Sequence, residues 1–329
     1  MRTSLFGLLL LSTLAASGNE DVYMYNYWGK EQIKNYAAEI STSVYAHLPS
    51  PNDGNKCLPM YKNAIANGVL DVRYALGYFD DSQGIDILWN GKNWGLSPSL
   101  DIGIYNSIRN VLSEPCTSPS QVNLCGFEQS GDPESGKVYL EKRIQLLNNN
   151  VLVRIALTHA SASESYVLNV NEMKSRQSFL TAQSEENYFG GIGKADIVIY
   201  NGHSRDGGGP DFNPPILDKT LHTDYQGYYH KKRIGIKRVL ELVKQGTNKD
   251  SILTFFSCYS RKHFYDVLMK ANPKQRLILS AETIDYFDTL KASVGYLEGF
   301  MRGACGQELA DIAKQGEKLR SGFQGYQLR

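Results

Sequence analysis

His203 and Cys258 each follow an apolar run that stops abruptly, and an imidazole brought beside a thiol is a combination capable of nucleophilic chemistry. The first run, Asp196 to Tyr200, leads into Asn201-Gly202-His203-Ser204 and then Arg205-Asp206-Gly207-Gly208-Gly209-Pro210-Asp211. The second, Ile252 to Phe256, leads into Ser257-Cys258-Tyr259-Ser260. The thiolate is the reactive form of cysteine, and a histidine within hydrogen-bond reach is the usual means of generating it. Gly202 and the glycines 207–209 permit a tight turn and close approach of a substrate, and the backbone N–H groups of Ser204 and Cys258 are candidate oxyanion donors. Taken singly, a strand-end cysteine is ordinarily a packing residue and a loop histidine is ordinarily solvated. Their joint placement is what points to a site.

For these residues to meet, the two runs must be neighbouring strands whose carboxyl ends share one edge, which is where open α/β sheets bind ligands. From residue 138 onward the pattern supports this. Val138, Leu140, Ile144 and Leu146 alternate with polar residues, Asn148–Asn150 can turn, and Val151, Val153, Ile155 and Leu157 alternate again, so a β-hairpin is expected. Strands are expected at Val151–Leu157, Ala195–Tyr200, Ile252–Phe256 and Leu277–Leu279. Helices are expected near Ile236–Val243, near Phe264–Leu268 and over Val294–Ala313, with a mixed segment between the first two strands. That order predicts an α/β fold with a largely parallel sheet flanked by helices. Gly295, Gly299 and Gly303 recur every four residues in the last helix and would let its backbone pack closely.

Loops at the same sheet edge would contact a substrate. Glu164, in the loop His159–Glu164, and Glu282 and Asp285, in the loop Ser280–Asp285, can accept a basic side chain, although solvated carboxylates are the ordinary reading. Arg205 and Asp206, just after His203, are further loop candidates. His159 also follows an apolar strand and is a second candidate base.

Residues 19–137 read as a separate, mixed and mainly helical N-terminal region, a prosegment or interaction domain. It opens on Tyr23, Tyr25, Tyr27 and Trp28 and continues with a helical face of Ile33, Ala37, Ile40, Val44 and Leu48. Further helices are expected around Tyr61–Ala66 and Ile104–Leu112, with apolar residues between them that could form strand. The Pro- and Gly-rich stretch 113–137 is the expected linker, so the α/β domain is expected to span 138–329.

The 329 residues are 42% hydrophobic and 21% charged with a net charge of +1, which offers no basic excess for nucleic acid. Residues 1–18 combine Arg2, an apolar run from Leu5 to Leu14 and small residues, the layout of a secretory signal peptide, so a periplasmic or secreted location is expected. No later segment has the length and apolarity of a membrane span. An oxidising compartment pairs exposed thiols, and Cys116 and Cys125 lie close together in a turn-rich stretch suited to a loop-closing disulfide. Cys305 shares a helical face with Leu297 and Met301 and reads as a buried structural cysteine, while Cys57 is open. With five cysteines, at least one thiol is left free or joined to another molecule.

The segments Tyr200-Asn201-Gly202-His203-Ser204 and Phe255-Phe256-Ser257-Cys258 resemble the paired motifs of the caspase, legumain and gingipain group of cysteine peptidases, over roughly residues 150–300. The resemblance implies a caspase-like parallel sheet and cleavage of peptide bonds by a His/Cys dyad. It also implies that Cys258 attacks the scissile carbonyl, that His203 serves the leaving amine as acid, and that a peptide or protein is the substrate, with no cofactor. Ser204 stands where that group has Gly, and Ser257 where it usually has Ala. A non-catalytic binding or structural protein on the same sheet is the alternative. A metal site using His203, Asp206, Asp211 and His222 or His230 lacks a recognised ligand spacing, and the serine-hydrolase motif GxSxG is absent.

Overall fold

Apolar runs buried on both faces form the middle of a mixed sheet that has seven strands among the described residues. The computed structural model describes residues 30, 31, 34, 54–79, 88–89, 92–93, 99–117, 123–162, 172–284 and 286–314. The segment 1–18, the aromatic opening and the apolar positions of the helix expected over 33–48 lie outside the described residues.

In chain order the sheet strands are β1 (Val69–Leu76), β4 (Glu128–Ser130), β5 (Lys137–Leu146), β6 (Asn149–Thr158), β7 (Ile197–Asn201), β8 (Ile252–Phe256) and β9 (Arg276–Leu279), while β2 (Leu88–Trp89) and β3 (Lys92–Asn93) form a separate ribbon. Across the sheet the order is β4-β5-β6-β1-β7-β8-β9. From β6 to β9 every pair is parallel, and β4 and β5 add antiparallel at one side.

Period-two alternation divides the strand residues between two cores. Ile197 and Ile199 of β7 and Ile252 and Phe256 of β8 face a core shared with α1 (Gly54–Asn67), α2 (Ser99–Ser113), α6 (Tyr286–Met301) and α7 (Gly306–Lys314). Val198 and Tyr200 of β7 and Leu253 and Phe255 of β8 face the other, with α3 (Glu172–Gly191), α4 (Ile234–Gln245) and α5 (Ser260–Ala271). The architecture is therefore a mostly parallel sheet between two helical layers, an α/β fold as expected at that level.

Several elements differ from expectation, each for a local reason. The apolar residues after the first helix become β1, which lies at the centre of the sheet between β6 and β7, so strand pairing crosses the boundary expected at 137. The hairpin turns on Leu147 and Asn148, both at positive φ (47° and 67°), with Leu146 opposite Asn149. Two consecutive left-handed residues suit the twist of paired strands, so the turn falls one residue before the Asn run. The mixed segment forms α3, whose apolar residues are not confined to one stripe; Phe179 is 52% exposed. The single helix expected over Val294–Ala313 is two helices, because Gly303 adopts φ 77° and stops α6, with its N–H on the Phe300 carbonyl at 3.0 Å. Gly299 gives the close approach anticipated for the glycine series, since a Cβ there would collide with Leu309 of α7.

Two disulfides are present. Cys116–Cys125 closes the loop before β4, and Cys57–Cys305, 248 residues apart in sequence, ties α1 to the junction of α6 and α7. Cys305, expected to be a buried structural cysteine, is structural as half of this bridge and is half-buried. Among the described residues no helix is long and apolar enough to cross a membrane.

Candidate functional site

Strand register decides that the two sequence-selected residues share an edge. Asn201 ends β7 opposite Phe256, which ends β8, and His203 and Cys258 each lie two residues beyond that rung. Between Asn201 and His203, Gly202 lies against the Tyr200 ring; a Cβ there would be 2.6 Å from the tyrosine hydroxyl, so only glycine lets the chain leave the strand at this point. His203 and Cys258 both line a cavity of about 870 Å³ at the carboxyl edge of the parallel strands.

The cavity wall is partly aromatic. His203 packs edge-on to Phe79 at 5.7 Å between ring centroids and to Tyr286 at 6.2 Å, while Phe79 and Tyr286 meet at 5.0 Å. His203 Nε2 lies 2.8 Å from the Phe79 carbonyl oxygen, a contact in which the ring nitrogen donates. The Cys258 thiol donates to the Ile284 carbonyl at 3.5 Å. These contacts direct the imidazole and the thiol to backbone carbonyls, and no catalytic His–Cys pairing is formed. The expectation of a cysteine-peptidase dyad, and with it membership of the caspase, legumain and gingipain group, thiol-protease activity and a hydrolase role, is therefore corrected. Neighbouring strand ends are not sufficient for a dyad, because each side chain bonds to a carbonyl from another segment of the chain.

The loop after His203 is held in an unusual backbone conformation. Arg205, Asp206 and Gly207 follow one another at φ 50°, 47° and 84°. The Arg205 side chain is 1% exposed, its guanidinium lies 5.3 Å from the centroid of the Tyr229 ring, and Nη2 donates to the Tyr78 carbonyl at 2.9 Å. Two non-glycine residues in the left-handed region cost roughly 1–2 kcal/mol each. Asp206 accepts from Gln226 Nε2 at 3.3 Å and lies 3.5 Å from His230 Nδ1. Ser204 is buried in the cavity wall, and its carbonyl accepts from Gly207 and Gly209 at 3.0 Å each.

His263, on α5, also lines the cavity. Burial lowers its pKa, the carboxylate of Asp206 works in the opposite direction, and the charges of Lys262, Arg233 and His230 add to the lowering. Among the described residues no group of three or more His, Cys, Asp and Glu side chains is arranged to hold a metal ion.

The remaining sequence candidates are dispersed. His159 follows β6, which β1 separates from β7, and it is buried against the Tyr105 ring at 4.7 Å, away from the cavity. Burial, assisted by the charge of Arg176, lowers its pKa to about 4. The Glu282 backbone carbonyl accepts the Tyr259 N–H at 2.9 Å, while Glu164 and Asp285 lie outside the described residues. Phe79, Tyr225, Gln226, His263 and Tyr286 line the cavity without having been singled out from the sequence. A signal existed for Phe79, which follows a strand just as His203 does, once β1 is placed in the sheet.

The chain matches no protein-family model, no curated protein and no solved structure, so the functional reading rests on the geometry of the cavity.

Proposed function

We propose that this protein is an exported, non-catalytic binding protein that receives a short peptide or peptide-like molecule in the cavity beside His203 and Cys258. The single observation that carries this reading is the cavity of about 870 Å³ at the carboxyl edge of the sheet. Its volume lies within the roughly 300–1,000 Å³ range of small-ligand sites, and the carboxyl edge of parallel strands is where such folds place them. Phe79, Tyr286 and Ile284 offer apolar surface, and Ser204, Thr223 and Gln226 offer polar groups, a mixture suited to a ligand carrying both side chains and amides. Export is supported by the two disulfides, which persist in oxidising compartments.

Thermal unfolding of the full chain against a panel of short peptides tests the reading. A bound member supplied at about 100 times its Kd is expected to stabilise the folded state by about 2.7 kcal/mol. The Tyr286→Ala variant should lose that response, and chromatography should recover the peptide intact. If the panel leaves the unfolding temperature unchanged, the binding reading fails; fragments of the peptide would contradict its non-catalytic part.

A further inference from the structure

Cys258 is the one cysteine outside the two disulfides, and it is partly buried in the cavity wall rather than spread on the surface. Beside it, Ser257 is 1% exposed, lines the same cavity and carries a hydroxyl that is buried with no hydrogen-bond partner among the described residues. A buried hydroxyl left in that state is costly unless something enters to satisfy it. Cys258 also directly precedes Tyr259, the N-cap of the twelve-residue α5, so the sulfur stands at the positive end of that helix dipole, which favours an anion. Its bond to the Ile284 carbonyl uses a weak S–H donor and is given up at little cost.

We propose that the cavity holds a low-molecular-weight thiol, such as a cysteine-containing peptide, as a mixed disulfide on Cys258. This rests on the cavity being a ligand site. The thiol of Cys258 loses its proton to solvent, and the thiolate attacks one sulfur of a small disulfide R–S–S–R. A Cys258–S–S–R bond forms as the original S–S bond breaks, and the departing thiolate takes up a proton to become R–SH. The small disulfide is the oxidant, and no other reactant is needed. The partly buried position admits such a molecule through the cavity and keeps the thiol of a folded protein out.

The test is to incubate the folded full chain with glutathione disulfide and follow its intact mass, with peptide mapping of the product. One adduct per chain is expected, at Cys258, reversed by dithiothreitol and absent from the Cys258→Ser variant. Thr283→Trp, an exposed change at the cavity wall, is expected to slow the adduct by about ten-fold because access limits exchange. The proposal is overturned if the folded chain forms no adduct while the unfolded chain does. It is also overturned if oxidation yields a Cys258-linked dimer instead, or if Thr283→Trp leaves the rate unchanged. Peptide-induced thermal stabilisation of Cys258→Ser separates the two readings: stabilisation without any adduct on the wild-type chain removes the covalent step alone, and loss of stabilisation in both proteins removes the ligand site as well.

Discussion

Tyr259 occupies the left-handed region, at φ 50°, in the turn that carries the chain from Cys258 into α5, and its side chain is 43% exposed. Glycine would hold the same backbone without the steric cost, so Tyr259→Gly is expected to raise stability by about 1 kcal/mol in urea unfolding. Arg205 shares the backbone anomaly but not the exposure. Replacing it with methionine fills the volume while removing the donor to the Tyr78 carbonyl, and a loss of about 2–3 kcal/mol is expected by the same measurement. Spacing along the chain made the shared edge of His203 and Cys258 legible. Their hydrogen-bond partners were not legible, because Phe79 is 124 residues from His203 and Ile284 is 26 from Cys258, and no local pattern ties a side chain to a carbonyl that far away.

Two titrating groups at opposite ends of strands that β1 separates, half-buried Asp196 and buried His159, act against each other. Asp196, at the amino end of β7, accepts the Asp71 N–H at 2.9 Å, and burial raises its pKa to about 6 despite that hydrogen bond. Its folded value exceeds its unfolded value, so its stabilising contribution is complete below about pH 4 and is lost as the pH rises through 6, on the order of 2–3 kcal/mol. His159, at the carboxyl end of β6, has a folded value lowered to about 4, so its contribution is present above about pH 6.5 and is lost as the pH falls toward 4, on the order of 3 kcal/mol. Between pH 4 and 6 the two slopes partly cancel. Thermal unfolding across that window should show stability rising more steeply with pH in Asp196→Asn, and falling with pH in His159→Phe. At this scale the helices α4 and α5 and the strands β6 to β9 followed from periodicity, whereas α3 did not, because its apolar residues are scattered around the helix.

The whole molecule is closed by a covalent link that no local pattern announces. Cys57–Cys305 spans 248 residues and joins helices that cover one face of the sheet. Replacing both cysteines with serine is expected to cost about 5 kcal/mol in denaturant unfolding, since a long loop is released in the unfolded chain. Loss of Cys116–Cys125, separated by nine residues, should cost less. By itself the sequence determined the α/β class, the parallel strands β7, β8 and β9, the hairpin of β5 and β6, and the carboxyl edge on which His203 and Cys258 stand. Those properties follow from alternation and from the order of elements, which are local. Only the tertiary structure decided that β1 fills the centre of the sheet, that Cys57 meets Cys305, and that Phe79, Tyr286 and Ile284 enclose a cavity in which imidazole and thiol bond to carbonyls rather than pair for catalysis. Each of those outcomes depends on contacts between segments far apart in the chain, where burial and hydrogen-bond satisfaction, rather than spacing, choose the partner.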